Sequence, residues 1–596
     1  MDNSIERVAC GALTAADAGA TVELDGWVHR RRDHGGLIFI DVRDRSGLTQ
    51  VTFDPSMGDT FARAETLRSE DVVRVRGVVR GRPAGTENAK LATGAVEVPA
   101  TELEILNRSE TPPFVIAAEE EPAEDVRLRY RYLDLRRPRM QHNLTVRHRI
   151  VKAIRDYFDE HDFLEIETPI LIKSTPEGAR DYLVPSRLHH GSFYALPQSP
   201  QILKQILMIG GLGRYMQIAR CFRDEGQRAD RQPEFTQVDV EMSFVQQDDV
   251  IAMMEGCIRS VWQRALGETV PDPLPRLTYA EAMRRYGSDK PDLRFGLELA
   301  DVTDAFRGSA FSLFATLAES DANRIVAVRY PGGAALSRRD FDNLTELVKS
   351  FGGKGMAYVT FGDGVKGSIV KFLDDTLIDR LRQGAGADGN VATGDAVLLI
   401  GDTSRAAYDV AGKLRLEIGD RLKLRDPQKF AFCWVLGFPL FERDEETGEI
   451  TFSHHPFTAP LPGQEALFDS DPLAITAQHY DLVLNGYELG SGSIRNHVPE
   501  FQRRVFKRLG LSDEQIDDRF GFFMEALSYG APPHGGMALG IDRIVMIACG
   551  ESNIRDVTAF PKNQMARDVM MDAPSPVPAA ALTELGLRIV EPPSPT

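Results

Sequence analysis

The sequence predicts an α+β multidomain protein that opens with a small β-barrel. Three observations predict it. Five segments of the first hundred residues alternate apolar and polar side chains. Beyond residue 140 the chain mixes antiparallel-strand and helix patterns over about 300 residues. A stretch at 295–425 interrupts that mixture with strands and helices of its own. The 596 residues are 42% apolar and 27% charged, enough for several hydrophobic cores. A net charge of −18 excludes a generally basic nucleic-acid binder and leaves room for a local basic patch. The five cysteines are scattered without a CxxC pair, which excludes a zinc ribbon or disulfide framework and suits a reducing cytoplasm. No apolar run reaches membrane-spanning length, and the start lacks the basic and apolar regions of a secretory signal. The expectation is a cytoplasmic protein without a membrane partner.

The predicted strands are 21–30, 37–43, 48–53, 71–80 and 95–106, each bounded by Gly, Asp or Pro. Residues 58–69, between the third and fourth, have helical spacing. Five strands with a helix in that slot predict an OB-fold barrel, whose face binds oligonucleotides. His29, Arg30, Arg31 and Arg32 close the first strand, and Phe39 and Gln50 follow on the next two. Such a set suits unstacked single-stranded RNA: Arg meets phosphate, Phe stacks on a base, and Gln reads a base edge. The same residues also fit a core phenylalanine beside a solvated basic edge, and this segment alone leaves both readings open.

Residues 107–125 combine Thr111-Pro112-Pro113 with a run of acids and read as a linker. Residues 126–155 reverse the sign, with ten Lys or Arg against Asp134 alone. Such a run is either a solvated helix face or a phosphate-contacting patch. Val146, Ile150, Ile154 and Phe158 mark one face of a helix over 144–160. Residues 163–172 read as a strand ending at Pro169, which suits a sheet edge. Further strands are expected at 214–223, 234–244, 430–440, 480–490 and 491–497, and a helix at 515–527. Residues 535–549 begin with glycines and continue as an apolar helix.

Seven motifs stand in order along this background: TPEGARDYLVPSR (175–187), ALPQSPQILKQ (195–205), CFRDE with RADRQPEFTQVDVE (221–241), YGSDKPDLRFG (286–296), HHPFT (454–458), YELGSGSIR (487–495) and GIDR (540–543). With them the chain resembles the bacterial-type aspartyl-tRNA synthetases, which are class II aminoacyl-tRNA synthetases. The resemblance covers nearly the whole length. It implies an OB-fold anticodon-binding domain at 1–107, a hinge at 108–140, and an antiparallel-sheet catalytic domain at 141–294 and 426–560. It also implies an inserted bacterial-type domain at 295–425 and a C-terminal extension at 561–596. The implied reaction joins an aspartate carboxylate to the α-phosphorus of ATP, giving aspartyl-adenylate and pyrophosphate. The 3′-terminal adenosine of tRNA then takes the aminoacyl group. Two anions must meet in the first step, so the site needs fixed cations and Mg²⁺.

The resemblance assigns roles residue by residue. Arg223, Arg543 and Glu488 are the catalytic set. Arg223 meets the α-phosphate and the reacting carboxylate, as a planar guanidinium can do bidentately. Arg543 holds the γ-phosphate, and Phe235 stacks on adenine. Asp224, Glu225, Gln232, Gly540, Ile541 and Asp542 complete the nucleotide site. Asp481 and Glu488 suit Mg²⁺, which takes carboxylates together with phosphate and water. Arg495 and Lys204 face the aspartate side chain, and Asp239 and Glu177 its ammonium. Ser199, Gln201, His454 and His455 complete that pocket. A neutral asparagine would then leave Arg495 and Lys204 unpaired, a mismatch that discriminates by about 10⁴ or more. In the barrel, Arg32, Phe39, Gln50, Asn88 and Glu97 match anticodon positions. The strand ending at Pro169 implies a homodimer.

One departure bears on specificity. His34 follows RRRD where enzymes strict for tRNA-Asp often carry leucine, and Ala84 occupies a second position tied to that distinction. Both imply a non-discriminating enzyme that also aspartylates tRNA-Asn, whose product needs a separate amidotransferase. The alternative is a strictly discriminating enzyme acting on tRNA-Asp only. The asparagine and lysine enzymes share the barrel and motifs but not the large insertion. A catalytically dead RNA-binding paralogue would have lost Arg223, Arg543, Glu488 or Lys204, and all four are present.

Overall fold

In the computed structural model, which describes residues 6–175, 178–385, 391–444 and 447–590, the alternating segments of the first hundred residues close into a barrel. Its strands are β1 (Thr21–His34), β2 (Leu37–Arg43), β3 (Leu48–Phe53), β4 (Val72–Val78) and β5 (Val96–Asn107). The order is β1-β2-β3-β5-β4, and β4 pairs back onto β1. Helix α1 (Asp59–Glu65) fills the slot between β3 and β4. Every second residue of β2 and β3, Ile38, Ile40, Val42, Val51 and Phe53 among them, enters one core. Phe39, Asp41, Gln50 and Thr52 therefore face away from it. Strand β1 runs four residues past the predicted end at 30, because Gly35 and Gly36, at φ +60° and +82°, form the turn into β2.

The chain forms two compact units. The first joins Met1–Thr145 with Gln227–Gln232 and Asn553–Val577; the second joins Val146–Gly226, Pro233–Ser552 and Pro578–Thr596. In the first unit, helices α2 (Glu124–Arg129) and α3 (Arg131–Asp134) carry the basic run. Both readings of that run need correcting for its first third. Arg127, Arg131 and Arg137 are buried around the fully buried Asp134. Arg131 donates to Asp134 at 2.6 Å and to the carbonyls of Arg555, Thr558 and Ala559. Arg127 donates to Asp556 at 3.0 Å. These arginines are neither solvated nor open to phosphate, and much of their compensation lies some 420 residues downstream.

Helix α4 (Pro138–Glu160) buries Val146, Ile150, Ile154 and Phe158 as its spacing predicts. The predicted strand 163–172 shrinks to β6 (Leu164–Glu165), an edge strand with one neighbour that stops four residues short of Pro169. There follow α5 (Gln201–Ile209), β7 (Arg214–Phe222), β8 (Glu234–Ser243), α6 (Gln247–Val261) and β9 (Arg276–Thr278).

Residues 300–421 build a separate five-stranded sheet. Its strands are β10 (Ala300–Asp301), β11 (Asn323–Tyr330), β12 (Ala357–Phe361), β13 (Val365–Gly367) and β14 (Ala396–Thr403), in the order β10-β11-β14-β12-β13. Helices α7 (Ser312–Ala318) and α9 (Asp375–Gly384) cover one face; α8 (Arg338–Ser350) and α10 (Ser404–Arg421) cover the other. Alternate residues of β11 and β14 feed the two cores, so both faces are buried. Asp292 ties the ends of this segment together. Its carboxylate accepts from Arg294 at 2.6 Å and from Arg425 at 3.1 Å. Arg415 collects the carbonyls of Asp292, Phe295, Gly296 and Leu297.

The chain then forms β15 (Phe432–Leu436), β16 (His479–Leu484), β17 (Tyr487–Ile494), α11 (Pro499–Arg508), α12 (Asp513–Ser528), β18 (His534–Gly540) and α13 (Ile541–Ala548). The large sheet has the order β9-β15-β16-β17-β18-β8-β7-β6. Its inner pairings are antiparallel, and only the two outermost are parallel. Two expectations change here. The strands expected at 480–490 and 491–497 are instead 479–484 and 487–494, because Asn485 and Gly486, at φ +55° and +87°, form a tight hairpin turn. The glycine start of 535–549 is a central strand and not the head of a helix. A Cβ on Gly536 would meet the Val240 carbonyl at 2.0 Å, so glycine is what lets β18 lie against β8.

Candidate functional site

Alternation along β8 sends Asp239 and Glu241 to one face of the large sheet. Lys204 reaches them from α5, and Arg495 from the residue after β17. Lys204 Nζ lies 2.6 Å from Asp239 and 3.2 Å from Glu241. Arg495 binds Glu241 bidentately, through Nε at 2.9 Å and Nη2 at 3.1 Å. Its Nη1 meets Ser493 Oγ at 2.7 Å and His455 Nε2 at 3.0 Å. Lys204, Asp239, Glu241 and Arg495 are each at most 2% exposed. Two cations and two carboxylates thus make a dry, neutral cluster. Burial pushes the Asp239 carboxyl up, partly offset by Lys204. Burial also opposes ionisation of Glu241, but Arg495 and Lys204 outweigh it and hold that carboxyl below its ordinary value. His455 is driven well below the usual imidazole range by burial and Arg495, so it is neutral.

Arg495 and Lys204, expected to face the substrate carboxylate, each have a carboxylate partner within the protein, and Glu241, not singled out in the sequence, is shared by both. Its signal was present, since Asp239 and Glu241 are two apart on a strand. Two polar atoms beside the cluster are buried without a hydrogen-bond partner among the described residues. They are Asp239 Oδ2, an acceptor, and Gln201 Nε2, a donor. Ser199 stands at the start of α5, its Oγ accepting from the Gln201 amide. Glu177 lies outside the described residues.

A second cluster sits on β16 and β17. Asp481 is buried, and its carboxyl is pushed up to about 6, chiefly by burial. Glu488, one strand over, is half-buried and raised by burial and then by Asp481. Two crowded carboxylates of this kind fit Mg²⁺, which takes its remaining ligands from phosphate and water. Among the described residues no group of three or more His, Cys, Asp or Glu could hold a metal. His454 and His455 part company here: His455 meets Arg495, whereas His454 stacks on His479, 3.6 Å between ring centres. His479, also missed from the sequence, lies 2.8 Å from Asp481.

The arginines expected at ATP are half-buried. Arg223 follows β7, and its guanidinium lies 5.0 Å from the centre of the Phe235 ring on β8. Its Nε is buried without a hydrogen-bond partner among the described residues. Arg543 on α13 donates to the backbone carbonyl of Glu488, which places it beside the second cluster. Asp224 is exposed and Glu225 half-buried in the connector after β7. Two expected ATP contacts are corrected at the side-chain level. Asp542 is committed to Arg147 at 2.5 Å and to the Thr236 amide at 2.9 Å, and Ile541 is fully buried. Asp542 thereby ties α13 to α4 and β8. Gln232 belongs to the other unit, where its Oε1 accepts from the Lys562 amide at 2.9 Å.

Comparison with known proteins adds the decisive observation. The family model of the class II tRNA synthetases (D, K and N) matches residues 123–564. A relative from Rubrobacter xylanophilus, named Aspartate–tRNA(Asp/Asn) ligase, is 53% identical over 98% of this chain and 97% of its own. The chain belongs to the class II aminoacyl-tRNA synthetases.

Within them it falls among the aspartate–tRNA ligases. A Legionella pneumophila protein named Aspartate–tRNA(Asp/Asn) ligase is 48% identical, covering 97% of this chain and 98% of its own. A Geobacillus kaustophilus protein named Aspartate–tRNA ligase is 50% identical, covering 98% of each. Among solved structures, the asparaginyl-tRNA synthetase of Pyrococcus horikoshii with asparaginyl-adenylate superposes with a TM-score of 0.58 at 19% identity. That match covers 94% of this chain and 98% of the other, and it shows the shared synthetase fold.

The OB-fold nucleic acid binding model matches residues 22–106. On the synthetase's barrel, Arg32 stands opposite Phe39 in register, and Asp41 opposite Gln50. Arg32 donates to Asp41 at 2.7 Å and to Gln50 at 3.4 Å; Gln50 donates to the buried Glu97 at 2.8 Å, and Arg80 holds Glu97 from the other side. Phe39 is half-exposed and outside the barrel core. Four of the five expected anticodon residues thus share one face. Asn88 stands apart, its Oδ1 accepting from the Lys90 amide within the 82–95 loop. Ala84 is exposed in that loop, and His34 is exposed at the tip of the β1–β2 hairpin.

Proposed function

We propose that this synthetase attaches L-aspartate to tRNA through aspartyl-adenylate, using ATP, and that it charges both tRNA-Asp and tRNA-Asn. The observation that carries the amino-acid choice is the dry cluster of Lys204, Asp239, Glu241 and Arg495. Asp239 Oδ2, buried without a hydrogen-bond partner among the described residues, is the acceptor for the substrate ammonium. The edge formed by Arg495 Nη1, Ser493 and His455 receives the substrate side chain, with Lys204 behind it. Asparagine would turn an amide N–H₂ toward donors that Glu241 holds in place, and such a clash discriminates strongly. Glu177, Ser199 and Gln201 supply the remaining polar contacts.

Arg223 aligns the α-phosphate with the incoming carboxylate, and Arg543 holds the far end of the nucleotide. Both cations are fixed before substrate arrives, so little reorganisation is left for the transition state. Asp481 and Glu488 would hold Mg²⁺, which neutralises charge on the departing pyrophosphate. Phe235 stacks on adenine, and Glu225 and the backbone of 540–541 frame it. The barrel face of Arg32, Phe39, Gln50 and Glu97 reads the anticodon, with Asn88 joining from its loop. His34 and Ala84 relax the third-base choice, in keeping with the relatives named Aspartate–tRNA(Asp/Asn) ligase. The domain boundaries proposed from the sequence, a homodimer, a cytoplasmic location and a downstream amidotransferase complete this reading.

The test is aspartate transfer by the pure protein onto separate tRNA-Asp and tRNA-Asn transcripts, beside aspartate-dependent ATP–pyrophosphate exchange. Charging of both is expected. Exchange without charging of tRNA-Asn would leave a discriminating enzyme. Absence of exchange with aspartate would overturn the amino-acid assignment.

A further inference from the structure

The proposed chemistry uses Asp481 and Glu488 but gives no role to the imidazole packed against them. His479 opens β16 and has no exposed surface. Its Nε2 lies 2.8 Å from Asp481 Oδ1 and 3.1 Å from Ser491 Oγ, across the β16–β17 pairing. Ser491 also hydrogen-bonds Asp481. A carboxylate oxygen only accepts, so Nε2 carries the hydrogen and donates it to Asp481. Nδ1 is then the bare nitrogen, and it is buried with no partner among the described residues.

The ring has little freedom to do anything else. It lies flat on His454, with 3.6 Å between centres and 9° between planes. The Phe438 ring meets both imidazoles edge-on at 4.8 Å. This sandwich fixes the ring plane and the direction of the Nε2–H bond. It also uses His454, which the sequence grouped with His455, for support and not for contact with Arg495.

We propose that His479 is a positioning residue for the divalent cation: its Nε2–H pins Asp481 Oδ1, leaving Oδ2 as the oxygen offered to the metal. Ser491 assists from the neighbouring strand, and His454 holds the imidazole plane. Carboxylates that bind metals depend on such outer hydrogen bonds, whose loss costs roughly 10–100-fold in metal affinity. The proposal rests on the reading of Asp481 as a cation ligand, and its test separates the two.

The test measures Mn²⁺ binding to the full-length protein with a non-hydrolysable ATP analogue, following free Mn²⁺ by electron paramagnetic resonance. H479F keeps an aromatic ring in the stack and removes the donor; H479N keeps a donor and removes the ring. D481N is the control for the metal reading. Aspartate binding without nucleotide or metal is measured on each, and circular dichroism monitors folding. We expect about 10–100-fold weaker Mn²⁺ binding by H479F, partial recovery in H479N, and aspartate affinity within twofold of the parent. A purely structural histidine would lower both affinities together, and that outcome overturns the proposal. Mn²⁺ affinity unchanged in H479F but lost in D481N overturns it while sparing the metal reading. Unchanged Mn²⁺ affinity in D481N overturns both. If H479F does not fold, H479N decides: Mn²⁺ binding weakened with aspartate affinity intact upholds the positioning role, and parental Mn²⁺ affinity, or both affinities lowered together, overturns it.

Discussion

The barrel face and the amino-acid pocket are built from the same materials and differ in water. In the barrel, Arg32 and Arg80 bracket Asp41, Gln50 and Glu97; the two arginine side chains are 51% and 55% exposed, over carboxylates that are 9% and 3% exposed. In the pocket, Lys204 and Arg495 bracket Asp239 and Glu241, and both cations are 2% exposed. Exposed ion pairs are worth up to about 1 kcal/mol, because solvent replaces whatever a mutation removes. A buried pair that loses one member leaves a charge that water cannot reach, at about 3–5 kcal/mol. The barrel face can therefore rearrange around a nucleotide. The buried cluster cannot exchange its partners for water, and on the proposed reading this is what lets it choose between a carboxylate and an amide.

The largest expected effect tests the dry side of this comparison. Arg495→Leu removes the bidentate partner of Glu241, leaving only Lys204 at 3.2 Å, and should cost up to about 3–5 kcal/mol in denaturant unfolding, together with loss of aspartate-dependent pyrophosphate exchange. Adding Glu241→Gln should restore much of the stability and none of the exchange. Recovery of exchange would break the assignment of Arg495 to the substrate.

Next comes His29, buried beside Arg43 and Glu70 on the barrel. It is 9% exposed, and burial and then Arg43 hold its imidazole down at about 4. A base depressed on folding supports the fold above its unfolded value near 6.5 and loses that support as pH falls toward 4. The loss should reach about 3 kcal/mol across that window. His29→Gln should flatten the profile, as read by urea unfolding at several pH values.

On the wet side, Phe39→Ala should raise the KM for tRNA by roughly 10–100-fold, the worth of one stacked base, and leave pyrophosphate exchange unchanged. A change in exchange would mean that the two sites are not separable in this way. The smallest effect is expected for Asp33→Asn, which removes the exposed pair with Arg31 at 3.0 Å. Stability should move by less than about 0.5 kcal/mol.

What could be read from the sequence follows the range of the forces involved. The barrel strands were legible because alternation is local, and so was the buried face of α4. Strand β18 was not, because GGMALG has the composition of a loop. Only the neighbour at Gly536 shows why side chains are absent there. The Asn485-Gly486 turn carried a signal that a long apolar run obscured. The arginines of 127–137 misled because Asp556 lies far along the chain. In the site, motif spacing located the cations, but it could not show that Glu241 neutralises them or that His479 faces Asp481. The first joins a strand to a helix and to the residue after another strand, and the second lies outside every motif.

Asp292 has a consequence for how such a chain can change over generations. One carboxylate holds Arg294, where the chain departs for the five-stranded sheet, and Arg425, where it comes back. Between those two residues the excursion completes its own cores and returns to within a side chain of its starting point. An ancestor could gain or shed the whole excursion in one genetic event, with the host sheet keeping its strand order. Lineages with and without this segment could then share one catalytic sheet, and the seam to inspect in any relative is the residue at position 292.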